Sequence, residues 1–164
     1  MIRALNPSIA FIGIDIRGHT AELYWAQGTY KMTFTTLATA SDAVQRILLN
    51  PDATQNHIVP VRNFETSLSE IVALLGEAQG VKYTLNPIEN TDKLIESKQK
   101  QWVDSGGQDV GAALWLVKAG FLLPRCGFNF AEGSKWTFGN ELVGFPAESA
   151  TLRDVIRETV AKFS

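Results

Sequence analysis

Residues 66–87, TSLSEIVALLGEAQGVKYTLNP, predict a helix followed directly by a strand, and this pair decides the fold class. Ser67 and Glu70, three residues apart, form the capping-box pattern that begins a helix. The helix should end at Gly80, because glycine is favoured just after the last helical residue. A short strand over residues 81–85 follows it. The predicted buried stripe of the helix comprises Ile71, Leu74, Leu75 and Ala78.

The segments before this pair predict further elements on its N-terminal side. Residues 57–61 read as a strand, and a helix begins at Leu37 and ends at Asn50-Pro51. Strand, helix, strand, helix and strand then alternate along the chain, and this order favours an α/β fold. The apolar stripe predicted for the first helix comprises Ala40, Val44, Ile47 and Leu48. Three β-rich runs, with a hairpin between the second and third, are predicted at residues 9–15, 20–25 and 29–36.

The chain after the pair is predicted to be helical. A polar helix runs from Thr91 to about Asp104, and residues 105–107 (SGG) break it. An apolar helix over residues 108–119 follows, with Gly120 as its C-terminal cap. Its apolar residues at helical spacing are Val110, Leu114 and Val117. An amphipathic helix is predicted at residues 151–163.

Length and composition indicate one ordinary globular domain over residues 1–164. Seventeen acidic against fifteen basic residues leave a formal net charge of -2, so a nucleic-acid partner is not expected. No apolar run approaches the roughly 20 residues of a membrane helix, and we expect no membrane partner. The single cysteine, Cys126, fits a reducing compartment, and we expect a cytoplasmic protein.

Sequence signals for a dinucleotide, for a metal and for a complete catalytic apparatus are absent. A nucleotide-binding α/β enzyme needs a glycine-rich turn between its first strand and helix, and the chain has none. Two histidines and one cysteine do not assemble a usual zinc site. We therefore expect no cofactor-binding and no metal-binding residue, and the catalytic residues remain unknown. The candidates for acid and base groups, which are polar and close to turns, are Asp15, His19 and Tyr24.

Aromatic residues are crowded into the segment from Trp115 to Phe145, which is also rich in glycine. Much of this segment shows little helical or strand periodicity, so the rings could either fill a core or line a concave pocket. In the pocket interpretation the ligand is apolar and planar or polycyclic. The substrate-binding candidates are Trp115, Phe121, Phe128, Phe130 and Trp136.

The order of these pieces resembles the C-terminal half of NmrA-like and isoflavone-reductase-like proteins, particularly fungal members. The resemblance extends from Ile9 to Phe163 and is carried by the order and spacing of short pieces rather than by one specific motif. These pieces are residues 11–16 (FIGIDI), 30–36 (YKMTFTT), 42–44 (DAV), 49–51 (LNP) with Thr54 and Asn56, 66–71 (TSLSEI), 80–83 (GVKY) and 139–146 (GNELVGFP).

The resemblance implies an atypical short-chain dehydrogenase lineage, in which an NAD(P)-binding Rossmann half precedes a smaller substrate half. This chain would be a partial, C-terminal portion of that fold, a short sheet with flanking helices. The glycine-rich fingerprint and the catalytic lysine of the family belong to the other half. The implied role is an oxidoreductase-lineage substrate-binding half for a small apolar or aromatic metabolite, with NAD(P) implied only for a complete family member.

Two other functions remain open at this point. One is a non-redox isomerase or cyclase that uses the aromatic pocket, and the other is a non-catalytic regulatory or binding module. In a complete family member the predicted strands would extend a parallel sheet that is buried on both faces. We therefore expect a bare sheet edge or face that self-association or a partner chain covers.

Overall fold

The computed structural model describes residues 12–122, 139–145 and 151–163, and these have the predicted α/β fold. Short strands form one sheet of three strands and one of two, with helices flanking both. The buried core is continuous between the sheets. Ile14, Ile71, Leu75 and Ile156 are almost completely inaccessible to solvent. The fold is thus built around one core, to which both sheets and three of the helices contribute.

The three-stranded sheet consists of β1 (Ile14–Asp15), β2 (Thr20–Leu23) and β5 (Thr84–Pro87). β2 lies in the centre, antiparallel to β1 and parallel to β5. β5 begins later than the predicted strand, because the Val81 N–H donates to the Gly76 carbonyl and completes the end of the preceding helix. All four residues of β5 are exposed, so the edge facing away from β2 is open in the part of the chain that the structure describes.

The second sheet pairs β3 (Lys31–Phe34) with β4 (Phe64–Ser67) in antiparallel register. The predicted hairpin between the second and third β-rich runs is therefore wrong. β2 already pairs with β1 on one edge and β5 on the other, so β3 has no edge of β2 left to join. Between β2 and β3 the chain makes a short turn, α1 (Trp25–Gly28).

The predicted strand at residues 57–61 is also wrong, because this segment uses its backbone groups in other contacts. The Pro60 carbonyl accepts from the Gly139 N–H at 2.8 Å. Just after the segment, the Arg62 N–H donates to the Asn140 side-chain oxygen, and the Asn140 amide donates to the Arg62 carbonyl at 2.8 Å. The Val61 carbonyl accepts from the Thr35 hydroxyl. The strand forms a few residues later, as β4.

The helix that decides the fold class forms as predicted. α4 (Leu68–Gln79) begins where the Ser67 hydroxyl accepts from the Glu70 N–H, and it ends at Gly80, whose φ of +67° is left-handed. Its stripe packs against α7 (Leu152–Phe163), the predicted C-terminal amphipathic helix. The apolar contacts of α7 come from Val155, Ile156 and Val160. This pair of helices closes one side of the core.

The remaining helices are α2 (Leu37–Leu49), α3 (Pro51–Thr54), α5 (Thr91–Asp104) and α6 (Val110–Leu122). The stripe predicted for α2 is wrong, because Val44 and Leu48 are exposed and the buried residues are Thr39 and Ala43. The segment of residues 139–145 lies near the end of α2, where Arg46 donates to the Gly144 carbonyl at 2.8 Å.

α6 differs from its prediction in length and in orientation. The helix continues through Gly120 to Leu122, so Gly120 is not a cap. Its predicted stripe of Val110, Leu114 and Val117 faces solvent, and the buried residues are Ala112, Ala119 and Leu122. A helix that is apolar on every side has two apolar stripes, and helical spacing alone does not say which one packs against the core.

Replacing Ser67 with Ala should lower the free energy of unfolding by about 1 kcal/mol, the usual value of a helix N-cap. The Ser67 hydroxyl is the acceptor for the Glu70 N–H, and α4 carries the centre of the core, so the loss should appear in global unfolding. Urea denaturation followed by circular dichroism measures it. Ser97→Ala is the matched control, because Ser97 lies exposed in the interior of α5 and alanine favours a helix. Equal losses in both variants would contradict the capping role.

Candidate functional site

The parallel pairing of β2 with β5 defines one edge of the sheet where functional side chains are expected. In open α/β sheets, ligands bind in the crevice outside the carboxyl ends of parallel strands. Here those ends are Leu23 and Pro87, and the Ile88 N–H donates to the Leu23 carbonyl at 2.9 Å. Tyr24 and Trp25 come directly after β2 and therefore lie at this edge.

The backbone at this edge is strained. Trp25, Ala26, Gln27 and Gly28 all have positive φ values, from +34° to +74°, so α1 is a left-handed turn. The turn is closed by a 2.8 Å hydrogen bond from the Gly28 N–H to the Tyr24 carbonyl. A left-handed conformation costs roughly 1–2 kcal/mol for each residue other than glycine, and such strain concentrates at functional sites. The observed outliers therefore mark this turn as a candidate site.

Three polar side chains form a compact cluster beside the turn. The Glu22 carboxylate accepts a hydrogen bond from the Tyr24 hydroxyl and another from Lys118 Nζ at 2.7 Å. The Lys118 ammonium also lies 4.9 Å from the centre of the Tyr24 ring. Lys118 is 13% exposed and Glu22 is 45% exposed, so the lysine is enclosed while part of the carboxylate faces solvent. The Glu22 carboxylate is thus held in place and remains accessible.

Burial and hydrogen bonding set the charge state of this cluster. Burial raises the pKa of Glu22, but the hydrogen bonds from Lys118 and Tyr24 and the charge of Lys118 together lower that pKa below its ordinary value of 4.5. Burial, followed by the hydrogen bond to Glu22, raises the pKa of Tyr24 far above 10. At neutral pH the carboxylate is therefore ionised and the phenol keeps its proton. Tyr24 acts as a donor that positions Glu22, while Glu22 can accept from a ligand.

Aromatic rings surround the cluster. Trp115 packs edge-on against Tyr24 with ring centres 6.2 Å apart, and the ring centre of Trp25 lies 6.4 Å from that of Tyr24. Trp115 and Lys118 are three residues apart on α6, so both reach β2 from one side of the helix. Gly13 makes room for the cluster, because a Cβ there would stand 3.1 Å from both Glu22 and Tyr24.

The other two predicted acid–base candidates lie at the opposite end of β2. The Asp15 carboxylate accepts from the N–H groups of Arg17 and Gly18 at 3.0 and 2.9 Å, which stabilises the turn between β1 and β2. The His19 ring stands edge-on to Tyr83, with centres 5.7 Å apart. Burial and the nearby charge of Asp15 raise the pKa of Tyr83 to about 12. Asp15 and His19 thus share a second cluster, and Tyr24 belongs to the first.

The predicted aromatic pocket is only partly within the described residues. Trp115 is half-buried beside Tyr24, and Phe121 is more exposed, further along α6. Phe128, Phe130 and Trp136 lie outside the residues that the structure describes. Their role in binding a substrate stays a prediction.

Sequence reasoning missed Glu22 and Lys118. Lys118 is the only charged residue of α6, and a lone charge in an apolar helix is a signal that it has a partner. The partner lies 96 positions away in sequence, on β2, so the pairing itself could not be read from local pattern.

A cleft of about 490 Å³ lies between α4 and the strands β2 and β5. Its walls are mainly apolar, with Leu23, Val72 and Leu85 among them. Across residues 12–122, 139–145 and 151–163, no three His, Cys, Asp or Glu side chains are placed to share a metal ion. No helix within these ranges is both long enough and apolar enough to span a membrane.

Comparison with known proteins identifies a similar fold and no family. No protein-family model and no curated protein sequence matches the chain. The fold is similar to that of a nucleoside-diphosphate-sugar epimerase from Staphylococcus aureus, with a TM-score of 0.57 and 18% sequence identity. The likeness covers 96% of this chain and 50% of the epimerase, so the chain spans half the length of that protein. The predicted fold class, a portion of a Rossmann-type α/β fold, is confirmed, and the likeness shows the fold alone.

Replacing Lys118 with Met should lower the free energy of unfolding by about 1 kcal/mol at pH 7, a modest value because solvent screens the exposed part of Glu22. Folding lowers the Glu22 pKa, so its stabilisation is present above the unfolded pKa and is lost as the pH falls through the folded pKa. The difference from wild type should therefore shrink as the pH falls below about 4.5 and through the lowered pKa of folded Glu22. Urea titrations at several pH values measure it.

Lys100→Met is the matched control for this experiment, because it removes an ion pair with Asp104 whose two side chains are largely exposed. Its effect should stay below about 0.5 kcal/mol at every pH. A loss in Lys118→Met that does not change with pH would show that the contact of the ammonium with the Tyr24 ring, and not the charge of Glu22, carries the effect.

Proposed function

We propose that this chain is the C-terminal, substrate-binding half of an NmrA-like, isoflavone-reductase-like oxidoreductase, and that its ligand is a small hydroxylated aromatic metabolite. The observation that carries the proposal is the polar cluster around Glu22, with the rings of Trp25 and Trp115 close to it, at the carboxyl ends of a parallel strand pair. The fold likeness to half of an epimerase supports the same lineage. The proposal concerns recognition of the substrate by this chain.

The chemistry of the cluster selects the class of ligand. Trp25 and Trp115 are each partly exposed and offer apolar ring surface for stacking. The exposed portion of the Glu22 carboxylate is ionised and accepts hydrogen bonds, so it favours a hydroxyl donor and repels a carboxylate. Aromatic surface beside one fixed acceptor fits a phenolic ring system. Tyr24 is buried and acts through Glu22, so it is a positioning residue.

We assign the dinucleotide and its glycine-rich turn to the NAD(P)-binding half that precedes the substrate half in a complete family member. The open edge of β5 and the neighbouring apolar cleft are surfaces of the kind that a continuing sheet covers. When bound to that other half, NAD(P) would supply hydride transfer, while this chain's residues hold and orient the substrate. A non-redox isomerase or cyclase would need an acid and a base close together. Asp15 and His19 lie at the other end of β2 from Tyr24, so these candidates do not pair with Tyr24, and the oxidoreductase lineage is favoured.

Isothermal titration of the chain with a hydroxylated isoflavone tests the proposal. We expect binding by the wild type and at least about tenfold weaker binding by Trp115→Leu, because the ring supplies stacking surface. The same isoflavone with its hydroxyls methylated should bind more weakly, since it has no proton to donate to Glu22. Near-ultraviolet and far-ultraviolet circular dichroism verify that each variant is folded.

Trp102→Leu is the control, because Trp102 lies on α5, packs beside Gly107 and is not part of the cluster. An equal loss of affinity in both tryptophan variants, or no binding by the wild type at millimolar ligand, would refute the proposed site. Separately, we expect no measurable binding of NADPH by the chain alone. Tight NADPH binding would show that the assignment of the dinucleotide to another half is wrong.

A further inference from the structure

A second cavity, separate from the candidate site, lies at the amino end of β2. Its volume is about 550 Å³, within the range of about 300–1,000 Å³ that is usual for small-molecule sites. The turn between β1 and β2 forms one wall, and the ends of α4 and α7 form the other. Glu22 and Tyr24 lie towards the carboxyl end of β2 and do not line this cavity.

Most of the cavity wall is apolar. α4 contributes Ala78, α7 contributes Phe163, and the residues next to the strands contribute Ile16 and Val81. Ile16 is completely buried, whereas the other three are only partly buried. Apolar surface of this kind favours a ligand with an apolar body. Because a single aromatic ring is present among these four side chains, the wall suits an aliphatic chain better than a stacked ring.

Three nitrogen-bearing side chains also line the cavity, those of Arg17, His19 and Gln79. In the part of the chain that the structure describes, no hydrogen bond or ion pair occupies the Arg17 guanidinium. Gln79 accepts from the Tyr83 hydroxyl at 2.6 Å and donates one amide hydrogen to the Ile16 carbonyl at 3.2 Å, so its orientation is fixed. These groups are hydrogen-bond donors, and together they favour an anionic group on the ligand.

The backbone holds two of these donors in place before any ligand arrives. The Asp15 carboxylate accepts from the N–H groups of Arg17 and Gly18, which fixes the turn that carries the arginine. His19 has a φ of +49°, in the left-handed region that residues other than glycine seldom adopt. Its carbonyl accepts from the Thr84 N–H at 2.8 Å, so strand pairing maintains this conformation. Such strain concentrates at binding and catalytic sites.

The charges around the cavity select a ligand with a single negative charge. Arg17 supplies one positive charge, and its planar guanidinium matches a carboxylate through two parallel hydrogen bonds. His19 adds a ring N–H donor in either protonation state. A phosphate monoester carries up to about two negative charges, and the Asp15 carboxylate at the same turn would repel the second one.

We infer that this cavity binds a small monocarboxylate with an aliphatic chain, such as a medium-chain fatty acid. The carboxylate bonds the Arg17 guanidinium and the His19 ring, and the chain lies along the apolar wall beside Ala78 and Phe163. The inference does not rest on the proposed function, because neither Glu22 nor the tryptophans of the candidate site line this cavity.

Isothermal titration of the full chain with octanoate tests the inference. We expect binding by the wild type, and affinity should rise about two- to fourfold for each CH₂ added between butyrate and octanoate, because each buries apolar surface. Octanol and octyl phosphate should both bind at least about tenfold more weakly than octanoate. The first has no charge for Arg17, and the second brings a surplus negative charge towards Asp15.

Arg17→Gln should weaken octanoate binding at least about tenfold, because it removes the charged partner of the carboxylate. Arg17 is exposed, so the variant should stay folded, which circular dichroism verifies. Arg157→Gln is the matched control, since Arg157 is an exposed arginine on α7 that lines a neighbouring groove and not this cavity. Its effect should stay below about twofold, because solvent screens a charge outside the cavity.

NMR chemical-shift mapping locates the bound octanoate. The amide signals of Gly18, Gln79 and Phe163 should shift, whereas that of Ala26, beside the candidate site, should not. Shifts confined to another part of the chain would overturn the inference. It would equally be overturned by a wild type that does not bind at millimolar octanoate, by equal losses in the two arginine variants, or by octanol or octyl phosphate binding as tightly as octanoate.

Discussion

The parallel pairing of β2 with β5 is the constraint on which the rest of the molecule depends. It joins segments more than sixty residues apart, so α4 must cross over the sheet between them and bury its apolar face. The packing of α7 against α4 then closes the core. Because the two strands are parallel, their carboxyl ends lie at one edge, and the residues that follow β2 are brought there together with α6.

The chemistry of that edge follows from where each group is buried. Tyr24 is buried with its hydroxyl against Glu22, so it keeps its proton, and Lys118 compensates the carboxylate charge. Glu22 can therefore remain ionised while presenting one side to solvent. A left-handed turn beside the cluster holds strain that the surrounding contacts must offset. These features together describe a preorganised acceptor among aromatic rings.

The sequence predicted some elements because their determinants are local. The start of α4 at Ser67 and its end at Gly80 depend on a hydroxyl acceptor and on a left-handed glycine, and both can be read from neighbouring residues. The strand predicted at residues 57–61 did not form because Gly139, far along the chain, and Thr35 donate to the Pro60 and Val61 carbonyls of that segment. Val110, Leu114 and Val117 of α6 follow helical spacing and are nevertheless exposed, since local spacing cannot rank two apolar faces of one helix.

For the candidate site, the sequence by itself determined that Tyr24 is a polar group close to a turn, that Trp115 lies on an apolar helix, and that a glycine-rich dinucleotide turn is missing. Only the tertiary structure decided that Tyr24 joins Glu22 and Lys118, and that Asp15 and His19 lie at the other end of β2. The physical reason is that charge pairing and strand order are long-range contacts. Local pattern determines which groups are available, whereas the crossover between β2 and β5 determines which of them meet.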